Sequence, residues 1–227
     1  MRNFLKKITH PFLKIGLILY YYKPRIYTYK NISVLVHPEV FPPHLTISTK
    51  ILLDFIEPLE LQNKNFLELG CGSGIISILA AKKGANVVAT DINKTALKYL
   101  EKNSEKNQAK LSILYSDLFE NLNNQTFDYI IINPPYYPKS PKNIKEIAWF
   151  CGEDFEYFAE LFTHLEKYKK NHKEIFMILS EDCDIDTIKE IASKSNFVFH
   201  MVLEKKVMKE HNFIYKIHNS EDNQSLS

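Results

Sequence analysis

The sequence predicts an α/β fold with a mostly parallel, seven-stranded sheet, helices on both faces and an antiparallel hairpin at the carboxyl end. Three observations predict it. Short apolar stretches alternate with longer stretches of helical period from residue 65 to residue 195, which is the pattern of βαβ units. Glycines follow the first of these apolar stretches closely. The last two strand-like stretches are separated only by residues 204–210, too few for a helical crossover, so we expect them to pair as a hairpin.

The individual elements are predicted in chain order from hydrophobic period and from boundary residues. A first helix is predicted from a cap at Thr46 or Ser48 to about Ile56, because hydroxyl side chains favour a helix N-terminus. The other helices are predicted at residues 75–83, 94–106, 154–168 and 185–195. The strands are predicted at residues 65–69, 86–90, 111–115, 127–132, 174–179, 197–203 and 211–217.

Residues 1–45 are predicted to form an extension in front of the main domain, which spans residues 46–218. Residues 2–22 carry apolar side chains near helical spacing, interrupted by one proline, and so predict one or two short helices. Two strand-like segments at 26–29 and 32–36 flank a short turn and predict a hairpin. The polar tail after residue 218, at residues 219–227, is predicted to be disordered.

The extension is basic, although the net charge of the chain is only +2. The first 38 residues hold seven Lys or Arg side chains and no acidic one, which predicts an anionic partner. The apolar run from Ile15 to Tyr22 is about half the length of a membrane span. We therefore expect no integral membrane segment and a helix packed on the domain, with a helix lying on a membrane surface as the alternative.

Composition places the chain among ordinary globular proteins. Its 227 residues are 45% hydrophobic and 25% charged, which suits one core rather than two full domains and disfavours disordered or fibrous classes. The three cysteines are widely spaced and form no metal-binding pattern. We expect no metal, reduced thiols and a cytoplasmic location.

The glycine-rich turn after the first strand of the main domain predicts a ligand site. Gly70, Gly72 and Gly74 are spaced two apart at the carboxyl end of a strand, where missing Cβ atoms let the backbone turn sharply and approach a ligand. The dinucleotide fingerprint would need glycine in place of Ile75, so a ligand without a diphosphate fits better. Glu68 adds a carboxylate that suits a cation.

The run from Leu67 to Gly74 resembles the first motif of the class I S-adenosylmethionine methyltransferases. Val87–Asp91 resembles the second motif, Tyr115–Leu118 the third, and Ile131–Tyr136 the fourth as found in the amino-methylating branch. The resemblance implies a Rossmann-like fold and S-adenosylmethionine as cofactor. The cofactor-binding residues that it implies are Glu68, Gly70, Cys71, Gly72, Gly74, Asp91, Ile92, Ser116, Asp117, Leu118 and Asn133.

Three of these carboxylates have alternative interpretations. Asp91 can accept hydrogen bonds from the ribose hydroxyls, with Asn93 capping the following helix, or Asp91 can itself be the cap of that helix. Asp117 can accept from the adenine amino group or be a loop acid. Glu68 can hold the ammonium of the cofactor or accept hydrogen bonds from loop amides. The Cys71 thiol is interpreted as packed rather than reactive.

Asn133, Pro134, Pro135 and Tyr136 follow an apolar strand and are the predicted catalytic residues. Two prolines remove two N–H donors and fix the backbone, so this corner presents carbonyl oxygens, to which Asn133 adds its side-chain oxygen. Two acceptors match the two hydrogens of a planar NH2 group. Tyr136 is predicted to cover the flat face of that group by stacking.

The fourth motif and the short length make the chain similar to the HemK-like protein glutamine N5-methyltransferases, which implies a release factor or ribosome-associated protein as substrate. Residues 41–49 do not reproduce the proline-acid-Thr signature of that family. The alternative is a methyltransferase of the small type that acts on adenine N6 or guanine N2 of RNA or DNA, which the basic extension favours. A scaffold that binds the cofactor without catalysis is a third hypothesis.

Overall fold

The computed structural model describes residues 22–122, 125–168, 172–207 and 210–220. A small hairpin comes first, and the helices and strands of the main domain follow it. The strands are β1 (Arg25–Tyr29), β2 (Ile32–Val36), β3 (Asn65–Leu69), β4 (Asn86–Asp91), β5 (Ser112–Tyr115), β6 (Phe127–Ile132), β7 (His172–Ser180), β8 (Phe197–Val207) and β9 (Glu210–Asn219). The helices are α1 (Ser48–Ile56), α2 (Ile75–Lys82), α3 (Lys94–Lys106), α4 (Ile144–Ile147), α5 (Glu156–Tyr168) and α6 (Ile185–Lys194).

The main sheet has seven strands in the order β5-β4-β3-β6-β7-β9-β8. Strands β3 to β7 are parallel to their neighbours among themselves, whereas β9 runs antiparallel to both β7 and β8. This arrangement confirms the predicted α/β class, the mostly parallel sheet and the C-terminal hairpin. From β3, the chain adds β4 and β5 on one side of the sheet and then β6 and β7 on the other side. Such a reversal of strand order, here beside β3, is where α/β sheets bind ligands.

The sheet is buried on both faces, because successive side chains of a strand point to opposite sides. On β3, Phe66 belongs to one apolar cluster and Leu67 to the other. Helices α1, α2 and α3 supply Ile51, Ile75 and Leu100 to the first cluster. Helices α5 and α6 cover the opposite face with residues such as Phe158 and Ile188. Helices therefore pack on both faces, as predicted.

The predicted hairpin of β1 and β2 forms, and it packs against α3. On α3, Asn103 donates to the carbonyl of Leu35 (3.0 Å) and accepts from its N–H (2.7 Å). One turn later, Asn107 makes the same two contacts with Ser33, at 2.9 and 3.1 Å. Two side-chain amides thus satisfy the outer edge of β2, which would otherwise be an unpaired strand edge.

Several predicted boundaries were wrong. Helix α1 has Ile47 at its N-cap with no side-chain cap hydrogen bond, because the Thr46 hydroxyl donates instead to the carbonyl of Pro42 (3.3 Å). Helix α5 begins at Glu156 rather than at residue 154, and β8 extends to Val207. Helix α4 was not predicted, because it is only four residues long.

Two predictions fall on parts of the chain that are not described. The predicted helix or helices at 2–22 lie outside the described residues, apart from Tyr22. Of the predicted tail, residues 221–227 also lie outside them. Within the described part of the chain, every helix is too short or too polar to cross a membrane. The proposed division into an extension at 1–45 and a domain at 46–218 stays a prediction.

Candidate active site

A cavity of about 410 Å³ lies at the carboxyl ends of β3, β4 and β6. The parallel strands of a sheet all end at this edge, so residues that are distant in sequence meet there. Gly72, Asp91 and Asn133 line the same cavity. The other predicted cofactor residues in its lining are Glu68, Gly70, Cys71, Ile92, Ser116, Asp117 and Leu118.

Gly70 and Gly72 form the floor of the cavity. Both have positive φ angles, +73° and +50°, which suit glycine because it has no Cβ. A Cβ built on Gly70 would meet no atom within 4 Å, so a side chain there would project into open space over the turn. Gly74 differs, because a Cβ there would collide with the Leu100 side chain and the residue does not line the cavity. Its role is close packing of α2 against α3.

Asp91 ties the glycine turn to the start of α3. One carboxylate oxygen accepts from the N–H of Gly72 and the other from the N–H of Asn93, both at 2.8 Å. Asn93 itself caps α3, because its side chain accepts from Thr95 N (2.9 Å) and Ala96 N (3.4 Å). Burial raises the pKa of Asp91, and the amide hydrogen bonds partly offset this effect. The carboxylate is therefore held in one orientation beside the cavity.

Glu68 lies in the cavity wall and accepts hydrogen bonds from a helix rather than from loop amides, and its predicted role of holding the cofactor's ammonium stays a prediction. It lines the cavity, and one oxygen accepts from the N–H of Ser77 (2.7 Å) and from the Ser77 hydroxyl in the first turn of α2. The residue is only 6% exposed, and this burial raises its pKa to about 8, with a further contribution from nearby Asp91. Glu68 therefore links the end of β3 to α2 and also adds negative charge to the cavity wall when ionised.

The Asn-Pro-Pro-Tyr segment follows β6, and only part of it faces the cavity. Asn133 and Pro135 line the cavity, whereas Pro134 and Tyr136 lie outside its lining. The Tyr136 ring packs against an apolar cluster that includes residues of β7, and its centroid is 4.8 Å from that of Tyr137. This placement corrects the predicted orientation of Tyr136, because contacts with residues distant in sequence direct its ring.

Three further segments of the cavity wall were not among the predicted site residues. The connection between β2 and α1 supplies Val40 and Phe41, and the segment after the prolines supplies Phe150. From α5, Tyr157 also lines the cavity, and burial together with Asp117 and Asp91 raises the pKa of its hydroxyl. The remaining lining residues from these regions are Glu39, Pro43, Thr49, Ser140, Pro141, Ile144, Ile147, Ala148, Cys151, Gly152, Glu156 and Glu160.

The site carries no sign of metal or thiolate chemistry in the described residues. No group of three or more His, Cys, Asp or Glu side chains in the described ranges is arranged to hold a metal ion. Cys71 is buried within the glycine turn, and burial raises its pKa well above the usual value. Its thiol is therefore a packed side chain.

Residues 31–150, more than half of the chain, match the family model described as "Methyltransferase small domain". The chain belongs to the methyltransferase small domain family. It is 43% identical over 112 residues to a protein of Methanocaldococcus jannaschii named "Putative protein N5-glutamine methyltransferase". The match covers 49% of this chain, and the chain spans about half (54%) of that relative's length.

Solved structures of methyltransferases share the fold of this family member. One is a T. thermophilus 16S rRNA N2 G1207 methyltransferase in complex with AdoMet and guanosine, with a TM-score of 0.60, 18% identity and coverage of 86% of this chain and 50% of that one. Another is the E. cuniculi Mtq2–Trm112 complex, responsible for methylation of the termination factor eRF1, with a TM-score of 0.61 and 21% identity. That match covers 80% of this chain and 99% of the other.

S-adenosylmethionine, the cofactor of class I methyltransferases, fits the residues that this family member presents. A volume of about 410 Å³ is within the range of small-molecule sites, and Gly70 leaves room above the turn. Asp91 lies in the cavity wall, where its carboxylate can accept hydrogen bonds from ribose hydroxyls, and Glu68 adds a second acidic group to the wall. The residues that would hold it are these two acids, the glycine turn and Ser116 to Leu118.

Proposed function

We propose that the chain transfers a methyl group from S-adenosylmethionine to a planar NH2 group, and that this group is the side-chain amide of a protein glutamine. One observation carries the proposal. Asn133 and Pro135 line the same cavity as Gly70, Gly72 and Asp91. An amine acceptor and a methyl donor bound there would meet in one enclosed space.

The Asn-Pro-Pro corner suits an NH2 group because it offers acceptors. Asn133 is half-buried at the end of β6, and Pro134 and Pro135 have no N–H to donate. The Asn133 side-chain oxygen and a carbonyl oxygen of the corner would accept the two hydrogens of the substrate nitrogen. With both hydrogens held, the nitrogen lone pair would point toward the donor as the nitrogen becomes pyramidal. One of the two N–H protons would be lost to solvent when the new N–C bond forms.

S-adenosylmethionine, when bound, supplies an electrophilic methyl group on a sulfonium. The residues of the chain then contribute alignment and exclusion of water rather than a nucleophile. Asn133 orients the acceptor, and Asp91 and the glycine turn position the donor. Apolar side chains of the cavity wall, including Phe41, Ile144 and Phe150, keep water from the reacting atoms.

The charge of the cavity supports glutamine over a nucleic-acid base. Six acidic side chains line it, at Glu39, Glu68, Asp91, Asp117, Glu156 and Glu160. Glu68, with a pKa of about 8, adds little of this negative charge at neutral pH. Among the described residues, the lining contains no Lys, Arg or His. This balance is unfavourable for a phosphate backbone that follows a base into the site, whereas a neutral amide carries no such penalty. The 43% identity over 112 residues to the relative named "Putative protein N5-glutamine methyltransferase" supports the same choice.

The alternative acceptor is the exocyclic amine of adenine or guanine in RNA or DNA. One observation favours it: the exposed Lys139 lies beside Phe150, with its Nζ 4.5 Å from the ring centroid. An aromatic ring and a cation together are typical of single-stranded nucleic-acid sites. With glutamine as acceptor, the proposed partner is a release factor or a ribosome-associated protein, and the proposed location is the cytoplasm.

Incubation of the purified protein with methyl-labelled S-adenosylmethionine and separate release-factor, rRNA, tRNA and DNA fractions tests the proposal. We expect label in a protease-sensitive fraction, recovered as methylglutamine after hydrolysis. Label in an RNase-sensitive or DNase-sensitive fraction would select the base amine instead. If the protein binds the cofactor but transfers label to no fraction, the non-catalytic scaffold is selected.

Two substitutions separate the donor and acceptor parts of the site. We expect Asn133→Ala to lose about 100-fold or more in kcat, because the nitrogen is no longer oriented, while the Kd for S-adenosylmethionine changes little. We expect Asp91→Ala to weaken cofactor binding by at least roughly tenfold, because a buried acceptor is removed. Calorimetric Kd values and initial rates at saturating cofactor check both. Equal losses of both properties in both variants would contradict these roles.

A further inference from the structure

The orientation of Tyr136 leaves the flat face of the proposed acceptor without its predicted cover. Three aromatic side chains line the cavity among the described residues, namely Phe41, Phe150 and Tyr157. Tyr157 lies near Asp91 and Asp117, whose charges act on its hydroxyl. It therefore belongs to the cofactor end of the cavity, whereas Phe150 lies beside the Asn-Pro-Pro-Tyr segment and Phe41 contacts Trp149, the neighbour of Phe150.

Phe150 is fixed directly beside the Asn-Pro-Pro-Tyr segment. Tyr137, the next residue along the chain, donates its N–H to the carbonyl of Trp149 (3.1 Å) and accepts from the N–H of Cys151 (3.0 Å). These two backbone hydrogen bonds hold residues 149–151 alongside residue 137. Phe150 therefore has a defined position next to the corner that would grip the acceptor.

Phe41 comes from the connection between β2 and α1 and contacts the segment that carries Phe150. The connection that carries it lies over the glycine turn, since a Cβ built on Gly72 would be 3.9 Å from the Cβ of Phe41. Asn93 holds this connection in place by donating its side-chain N–H to the carbonyl of Glu39 (2.9 Å). The Phe41 ring also contacts the Trp149 ring, with centroids 5.0 Å apart. The connection between β2 and α1 and the segment that carries Phe150 are therefore joined by an aromatic contact.

We propose that Phe41 and Phe150 form the aromatic surface against which the planar acceptor group packs, in the role that the sequence suggested for Tyr136. This inference rests on the proposed function, because it names further acceptor-binding residues of that same site. Aromatic faces stack on any planar conjugated group, amide or base. The surface would orient the acceptor plane, while Asn133 fixes the nitrogen within it.

The test uses leucine variants, which keep apolar volume but remove the flat ring. Phe41→Leu, Phe150→Leu and Tyr136→Leu are compared with Phe199→Leu, a control on β8 at the far edge of the sheet. Circular dichroism and the Kd for S-adenosylmethionine establish that each variant folds. We expect Phe41→Leu and Phe150→Leu each to lower kcat/KM for the methyl-accepting fraction by roughly tenfold, with the cofactor Kd within about threefold of wild type.

A second measurement does not depend on methyl transfer. Trp149 is the single tryptophan of the chain and touches Phe41, so its fluorescence reports on this surface. Titration with the blocked peptide Ala-Ala-Gln-Ala-Ala and with adenosine and guanosine, in the presence of S-adenosylhomocysteine, is expected to change the fluorescence of wild type. In the two Phe→Leu variants we expect the same change to require roughly tenfold more ligand.

The outcomes separate this inference from the proposed function. If wild type transfers no label but a planar ligand binds through Phe41 and Phe150, the proposed function fails and the aromatic surface stands. If wild type transfers label while both Phe→Leu variants keep normal kcat/KM and ligand affinity, the aromatic surface is refuted. A loss confined to Tyr136→Leu refutes it as well, as does the absence of any fluorescence response in wild type.

Discussion

Glu68 and Asp91 are two carboxyl groups that line the same cavity and interact electrostatically with each other. Both pKa values are raised, chiefly because desolvation disfavours the charged form. Hydrogen bonds from Ser77 oppose this effect at Glu68, and backbone amides oppose it at Asp91. An unfolded chain would leave Glu68 ionised at neutral pH, whereas its folded pKa of about 8 favours the protonated form, so folding makes stability depend on pH.

Glu68→Gln is expected to flatten part of that pH dependence. The pKa of Glu68 is about 8 in the folded protein, above its ordinary value of 4.5. Its stabilising contribution is therefore complete below pH 4.5 and is lost as the pH rises through 8. Glutamine is neutral throughout and keeps an oxygen that accepts from Ser77. We expect wild type to lose on the order of 3 kcal/mol more than the variant across this window.

Urea unfolding at pH 5 and pH 8.5 measures this difference. The exposed Glu60→Gln serves as control, because it removes one carboxylate without changing a buried group. Wild type and Glu68→Gln differ in no other acidic residue, so the difference in their pH dependence reports the titration of Glu68. If wild type and Glu68→Gln lose the same free energy of unfolding between the two pH values, Glu68 is not perturbed by burial.

Helix α3 controls the cavity through its contacts with the β1–β2 hairpin. The amides of Asn103 and Asn107 hold the outer edge of β2, and Asn93 holds the connection that follows β2. That connection carries Val40 and Phe41 into the cavity wall. One element thus positions residues that are more than 50 positions away in sequence. The position of this part of the cavity wall therefore depends on hydrogen bonds from side-chain amides and not on strand pairing within the main sheet.

Asn103→Ala is expected to destabilise the protein strongly. Asn103 is 1% exposed, and its removal would leave three backbone groups without partners, namely the N–H and carbonyl of Leu35 and the carbonyl of Ser73. Unpaired buried groups of this kind cost about 3 kcal/mol together. Denaturant unfolding measures the loss, with the exposed Lys98→Ala on the same helix as control. Equal stability of the two variants would show that the hairpin does not depend on this amide.

Much of the fold and part of the site could be predicted from the sequence, because the residues that signal them determine the backbone conformation near their own positions. The spacing of Gly70 and Gly72 and the acid at the end of β4 depend only on backbone geometry near each residue. The hairpin of β8 and β9 followed from the short connection between them. Local features of this kind are enough to place the glycine turn, Asp91 and Asn133 at one edge of the sheet.

The remaining part of the cavity depends on contacts that leave no local pattern. Phe41 lies in a proline-rich connection, and its direction comes from Trp149 and from an asparagine on α3. The motif predicts that Tyr136 covers the acceptor, yet its ring packs against an apolar cluster and beside Tyr137. A side chain's direction at the end of a strand is decided by tertiary packing, which a one-dimensional pattern does not contain.

At the scale of the whole molecule, cofactor binding should stabilise the fold. The cavity joins β3, β4 and β6 to the β2–α1 connection and to α5, so a ligand there contacts segments from across the chain. At a concentration of S-adenosylmethionine 100-fold above its Kd, the free energy of unfolding should rise by about 2.7 kcal/mol. For a chain of this length that corresponds to an increase in Tm of roughly 5–10 °C. Scanning fluorimetry measures the shift, and Asp91→Asn should need at least about tenfold more cofactor for the same Tm. An unchanged Tm for wild type at saturating cofactor would show that the cavity is not its binding site.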